Sequence, residues 1–342
     1  FHKFIDKRSF LSYYYDNMAE LRKDPISGDW VVSGYARSKV SGTGDCPFCP
    51  GNEHLTPKTI REIKGQDGKW LVRCFPATSP IFAIEVEEQK RAEGLYDKMG
   101  NVGAHEIVVL HRTHTITMSS FSEEDMSRVF DMYIDRILDL KKDKRFKYIN
   151  VFRNHGELAG SYLLHPHSHV LATPIMPQRM DLELTNSKNH FMQKERCLFC
   201  DILNQEIRQN KRVVSINANF VALCPFASKF PYEAWVLPRF HDDSFENLKD
   251  RGIRHDFIVL LLDLLKRIEK LTNAYSVVIH TSPNTVKGSL LDAEYPVKDY
   301  FHWHMEILPR DFRSSKYKRE DEFHVVSITP EDACNTLKAQ KV

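Results

Sequence analysis

Cysteine pairs and spaced histidines are the residues of this chain best equipped for chemistry, and they occur twice in the same order. Cys46 and Cys49 (CPFC) precede His114, at the end of the run HEIVVLHRTH, and then His165 in HPHSH. Cys197 and Cys200 (CLFC) precede His241, at the end of EAWVLPRFH, and then His302 in HWHME. Two thiolates and two imidazoles complete a tetrahedral site, so the repeat predicts two structural Zn2+ ions per chain and a duplicated architecture. A Cys-x-x-Cys pair also serves thioredoxin-like redox chemistry. Neither pair reads as lying between a strand and a helix as that chemistry needs, and the matched histidines would go unexplained.

In an extended HPHSH the side chains alternate faces, so His165, His167 and His169 project together while Pro166 and Ser168 point away. One histidine, His165, suffices to complete the first metal site. His167 is then held beside the metal without binding it. A neutral imidazole fixed in one tautomer by a hydrogen bond on its other nitrogen is a competent nucleophile toward phosphorus. Upstream, Arg153, Asn154, Gly156 and Gly160 (RNHGELAG) supply a cation, an amide and small residues that let backbone approach a ligand. Placed just before HPHSH they read as a phosphate cradle, although such a stretch is also how a plain surface turn is written. His304 is the counterpart of His167 in the repeat. HWHME lacks the third histidine and VVIHTSP lacks the Arg-Asn-His-Gly approach, so the second half reads as a degenerate scaffold.

Elements that could position these residues also come in pairs. KYINVFRNHG (Lys147 to Gly156) and AYSVVIHTSP (Ala274 to Pro283) are strand-like runs ending in turn residues, each shortly before its histidine cluster. Each follows a helical segment. FSEEDMSRVFDMYIDRILDLKKD has Phe121 and Ser122 as staple and cap and Val129, Met132, Ile137 and Leu138 near helical period; HDFIVLLLDLLKRIEKLT is more apolar. The polar stretch from Gln178 to Lys194 lacks strong periodicity and is taken as the boundary, giving an N-terminal half over 1–180 and a C-terminal half over 190–342.

With 342 residues the chain exceeds what one core usually holds, which agrees with two halves. Its 48 basic and 46 acidic residues leave a net charge of +2, so no nucleic-acid partner is expected and phosphate binding has to be local. No run approaches 18 apolar residues and no basic n-region with an apolar h-region opens the chain, so no membrane partner is expected. Four of the seven cysteines form the two pairs, and Cys74, Cys224 and Cys334 are single. That usage fits a reducing compartment, and a cytoplasmic location is expected.

ELRKDPISGDWVV, CPFCPGNE, GAHEIVVLHRTH, RNHG with HPHSH, FVALCPFASKFPYEAWVLPRFH and HWHMEILPR follow one another from about Glu20 to Pro309. In that order they resemble the galactose-1-phosphate uridylyltransferase family, the transferase branch of the histidine-triad superfamily, including its plant ADP-glucose phosphorylase-like members. The resemblance implies an α+β fold of two tandem histidine-triad-like halves, each an antiparallel sheet flanked by helices, assembled as a homodimer. It implies ping-pong chemistry in which a histidine takes the nucleotidyl group from a nucleoside diphosphate sugar and passes it to an acceptor. His167 occupies the nucleophile position, and the two Cys, Cys, His, His sets match zinc sites of the family and its plant branch. His280 and His304 match positions that in some uridylyltransferases hold a second metal with a glutamate; the intact cysteine set is favoured here. Asn154 and Arg37 match nucleotide and phosphate contacts, and Phe75 matches the surround of the base.

The chain also departs from the family pattern. His169 stands where transferases usually carry glutamine, and histidine there is typical of superfamily hydrolases; glutamine holds a phosphoryl oxygen, whereas histidine can also move a proton. The usual asparagine is missing from FPATSP, and Tyr162-Leu163-Leu164 replaces a phosphate-binding serine, although Ser161 is adjacent. The acceptor-sugar glycine loop is not recognisable in KYKREDEFHVVSITPEDA. The leading expectation is a nucleotidyltransferase of hexose 1-phosphates, with His169 and Arg153 steadying the α-phosphate and a sugar 1-phosphate or phosphate as acceptor. A nucleotide-sugar phosphorylase or nucleotide hydrolase is the alternative, and a catalytically silent zinc-built nucleotide-binding module is a third class, which the intact HPHSH disfavours.

Overall fold

The computed structural model describes residues 19–35, 45–161, 163–284, 295–310 and 324–342. Ten strands form one antiparallel sheet whose two halves mirror each other. The first half supplies β3 (Arg61–Lys64), β4 (Trp70–Pro76), β7 (Ala104–Val109), β8 (Tyr148–His155) and β9 (His167–Thr173). The second supplies β10 (Val213–Ile216), β11 (Phe220–Leu223), β12 (Ala234–Pro238), β13 (Tyr275–His280) and β14 (His304–Pro309). The order β10-β11-β12-β14-β13-β8-β9-β7-β4-β3 reads the same from either edge, with β8 and β13 paired at the centre from Tyr275 opposite His155 to Ile279 opposite Val151. The two expected half-sheets are thus joined into one. The chain also forms a small sheet in the order β2-β1-β6-β5, from β1 (Glu20–Lys23), β2 (Trp30–Ser33), β5 (Arg91–Glu93) and β6 (Tyr96–Gly100).

One face of the large sheet is covered by α1 (Glu123–Leu140) and α4 (Arg251–Glu269). Ser122 caps α1 in a reciprocal box with Asp125, and Asp250 caps α4. Val129, Met132 and Ile137 are buried as the periodicity predicts, whereas Leu138 is 40% exposed. Alternation along the strands sets the core: Val151 on β8, Val170 and Ala172 on β9 and Val108 on β7 pack under the helices, as do Val277 and Ile279 on β13 and Met305 and Ile307 on β14. Residues one position out of phase face the other way, and the histidines lie there.

The polar stretch taken as the boundary folds as a helix, α2 (Gln178–Lys194). Its buried stripe is narrow, Met180 and Leu184 with Phe191 partly covered, packed against Tyr148, Val297, Tyr300 and Phe301. So few apolar positions in a polar helix leave a weak periodic signal, and tertiary packing sustains it. Two further helices are α3 (Leu198–Gln209) and the C-terminal α6 (Pro330–Ala339), with the short α5 (Val297–Tyr300) between them in the chain.

Candidate functional site

His167 opens β9, and it and His169 both face away from the helices while Ser168 between them bonds Tyr133 on the helix side. The expected alternation holds for these two. His165 leaves the strand at Pro166 and turns to the first cysteine pair, where its Nδ1 lies 3.8 Å from Cys46 Sγ and 3.6 Å from Cys49 Sγ. His114 Nδ1 lies 3.4 Å from Cys49 Sγ. The second set repeats this, with His241 Nδ1 at 3.5 Å and His302 Nδ1 at 3.6 Å from Cys200 Sγ.

A tetrahedral ion with metal–sulfur bonds of about 2.3 Å and metal–nitrogen bonds of about 2.0–2.1 Å has S···N edges of about 3.6 Å, which these separations match. Three of the histidines donate their other ring N–H to backbone: His165 to His111 at 2.8 Å, His241 to Lys298 at 2.7 Å and His302 to Pro238 at 3.0 Å. That second bond leaves the lone pair on Nδ1, the nitrogen facing the cysteines. Both donor sets therefore fit a metal ion. Cys197 caps the N-terminus of α3, with helix α2 rather than a strand before it, so the pair does not lie between a strand and a helix. Hydrogen bonds from Cys200, His241 and His302 hold the Cys197 thiol below the usual range, while the Cys197 thiolate and burial push the neighbouring Cys200 up, so the second thiolate needs a bound cation to form.

Phe48, between the cysteines of the first pair, carries the metal knuckle to the reactive strand. Its ring meets His167 edge-on at 5.2 Å and also contacts His165 and Phe75. His167 Nδ1 donates to the carbonyl two residues back, His165 O, at 2.8 Å. The lone pair is thereby placed on Nε2. Burial, with His169 and Arg153 adding to it, pushes the His167 pKa down to about 3, so the ring is neutral at neutral pH.

His167 and His169 line a cleft of about 310 Å³ together with Phe75, Asn154, Gly160, Ser161, Phe48 and Tyr35. Four of the sequence-predicted binding residues are thus brought together. Arg153 is not: it shares the helix-covered face with Val151, it is 3% exposed, and its guanidinium approaches the His167 carbonyl at 3.5 Å and His155 at 3.3 Å. Period two separates it from Phe152 and Asn154, which do line the cleft. Arg37 and the charged stretch RSSKYKREDE lie outside the described residues. Gly156 has φ +80° and a Cβ there would sit 2.3 Å from Asn273 O, so this turn accepts glycine alone.

The sequence reading passed over His105, Phe152 and Tyr35. His105 lies on β7 two residues before Ile107, so the strand period would have placed it on the cleft face. Its partner on the adjacent strand β9, His169, was not readable.

In the second half the equivalent face is closed. His304 takes the place of His167, its Nδ1 donating to His302 O at 3.2 Å, and Glu306 stands where β9 has His169. Both are 0% exposed, because α2 lays Arg179 and Glu183 across them. Glu183, His280, His304 and Glu306 gather as a third group able to hold a metal, separate from the cysteine set that takes His302. Burial alone would lower the pKa of His280, but the carboxylates of Glu183 and Glu306 raise it to about 10. Among the described residues no helix is long and apolar enough to cross a membrane.

Two family descriptions match the chain: galactose-1-phosphate uridyl transferase, N-terminal domain, over residues 18–177, and its C-terminal domain over residues 183–318. An ADP-glucose phosphorylase of Arabidopsis thaliana is 27% identical over 337 residues, covering 93% of this chain and 92% of that protein. A galactose-1-phosphate uridylyltransferase of Thermotoga maritima is 25% identical, covering 95% of this chain and 99% of that protein. A crystal structure of an ADP-glucose phosphorylase from Arabidopsis thaliana with bound ADP-glucose superimposes with a TM-score of 0.75 at 27% identity, over 95% of this chain and 100% of that one.

Proposed function

We propose a reaction from one premise: the chain belongs to the galactose-1-phosphate uridyl transferase family. It is a nucleotidyltransferase acting on sugar phosphates. The finer reading is a ping-pong exchange. His167 Nε2 attacks the α-phosphorus of a nucleoside diphosphate sugar, the bond from that phosphorus to the bridging oxygen breaks, and sugar 1-phosphate leaves with the electron pair. An acceptor oxygen, from a hexose 1-phosphate or inorganic phosphate, then attacks the nucleotidyl-histidine and returns His167.

One observation carries this reading: the His167 Nδ1 bond to the His165 carbonyl, which presents an unprotonated Nε2 at the cleft. Asn154, Ser161 and the amides near Gly160 hold the phosphates, and Phe75 flanks the base. His169 faces the same phosphate, its ring 5.3 Å from that of His167. The cysteine and histidine sets hold Zn2+, which fixes Phe48 and His165 on either side of the nucleophile and takes no part in bond making. The two sequence halves serve as catalytic half and scaffold, with a boundary at the start of α2.

Incubation with a labelled nucleoside diphosphate sugar and no acceptor tests this. A nucleotidyl adduct that is acid-labile and base-stable should accumulate, be lost in His167→Gly and persist in His304→Gly. Adduct formation in the His167 variant would refute the assignment. Offering UDP-glucose and ADP-glucose, each with hexose 1-phosphate or phosphate, separates transferase from phosphorylase and identifies the base.

A further inference from the structure

His105 and His169 form a pair whose proton can be placed. His105 Nε2 lies 2.9 Å from His169 Nδ1, and either nitrogen could donate. The other nitrogen of His105 decides. Its Nδ1 lies 3.2 Å from the backbone nitrogen of Ile81, whose N–H can only donate. Nδ1 of His105 therefore offers a lone pair, its ring proton sits on Nε2, and that proton is given to His169 Nδ1. A neutral His169 must then carry its own proton on Nε2. The ring is also held in plane by Phe152, stacked at 4.9 Å and 13°. Burial keeps His105 neutral by lowering its pKa to about 4.

We propose that His105 is a positioning residue that makes His169 a fixed Nε2–H donor to the phosphoryl oxygens, the equivalent of a carboxamide N–H, and prevents it from acting as a base. This rests on the nucleotidyl-histidine reading and decides what attacks that intermediate. When water attacks, its oxygen bonds phosphorus, the bond to His167 Nε2 breaks, and a water proton has to pass to a base. His169 Nε2 already holds a proton, and its Nδ1 accepts from His105. A phosphate or sugar 1-phosphate acceptor is an anion at neutral pH and attacks without giving up a proton. The pair thus favours phosphate-bearing acceptors over water, and the histidine at this position does not mark a hydrolase.

The first test needs no turnover. With nitrogen-15-labelled histidine, NMR of the intact protein near neutral pH should show His169 protonated on Nε2 and unprotonated on Nδ1. His105→Leu should give mixed tautomers. His105→Gln should restore the wild-type pattern, since its Oε1 can accept from Ile81 and its amide can donate to His169. A wild-type proton on His169 Nδ1, or an unchanged tautomer in His105→Leu, would overturn the proposal. The second test partitions the preformed adduct between water and phosphate. His105→Leu should shift it toward water by about 100-fold, the low side of what a general base contributes, and His105→Gln should not. Equal partitioning in wild type and His105→Leu counts against the proposal. Absence of any adduct in wild type, with the expected tautomer present, would refute the nucleotidyl-histidine reading and leave the His105 assignment supported.

Discussion

Replacing Cys46 by Ser in the first knuckle, and separately Cys197 by Ser in the second, tests whether the repeated cysteine and histidine sets are metal sites. The S···N separations of 3.4–3.8 Å in both sets match a tetrahedral edge of about 3.6 Å. Purified protein should therefore carry about two zinc equivalents. X-ray absorption at the zinc edge should show sulfur at about 2.3 Å and nitrogen at about 2.0–2.1 Å in equal numbers. Each single variant should hold about one equivalent. Losing a direct ligand should cost at least the 10–100-fold in affinity that an outer-shell partner costs, or about 1.4–2.8 kcal/mol. Structural zinc affinity is folding free energy, so the loss should appear as a lower unfolding midpoint that added chelator reproduces in wild type. The two variants should differ in activity. Phe48 ties the first knuckle to His167, so Cys46→Ser lowers adduct formation along with stability, and Cys197→Ser mainly lowers stability. Metal that survives in the double variant belongs to the Glu183, His280, His304 and Glu306 group. Wild-type protein without zinc, or a shell of oxygen and nitrogen alone, would refute the assignment of both knuckles.

Three further expectations concern residues near the cleft. Because Arg153 lies under β9, Arg153→Met should lower stability and kcat while leaving the nucleotide-sugar KM within about twofold; a large rise in KM alone would return it to the phosphate site. Arg136 grips Glu106 with two 2.8 Å bonds, both side chains no more than 5% exposed, so Glu106→Gln should cost about 3–5 kcal/mol in urea unfolding, and an unchanged midpoint would contradict this. His105 has its folded pKa lowered from 6.5 to about 4, so its contribution is complete above pH 6.5 and is lost as pH falls toward 4. That gap corresponds to about 3 kcal/mol. His105→Gln should flatten the pH dependence of the urea midpoint across that window, and an unchanged slope would argue against a buried neutral ring.

The α+β class came from the family resemblance, while spacing and strand period in the sequence alone pointed to the two Cys, Cys, His, His sets, the paired strands, the helix capped at Ser122 and His167 as the candidate nucleophile. Those features are local: a Cys-x-x-Cys turn, a capping box at Ser122 and an alternating HPHSH are each written within a few residues. Alternation also contained the correction to Arg153, since a residue adjacent to two cleft residues on a strand must face the opposite way. What the sequence left open depends on which distant segments meet. The polar helix α2 exists because Tyr148, Val297, Tyr300 and Phe301 cover its narrow stripe, and its placement buries His304 and Glu306 in the second half. The joining of two half-sheets depends on the pairing of β8 with β13, more than a hundred residues apart. The chemistry of His169 was undetermined for the same reason. Histidine at that position permits a donor, an acid or a base, and only the arrival of His105 from β7, with the Ile81 amide on its far nitrogen, fixes where the proton sits.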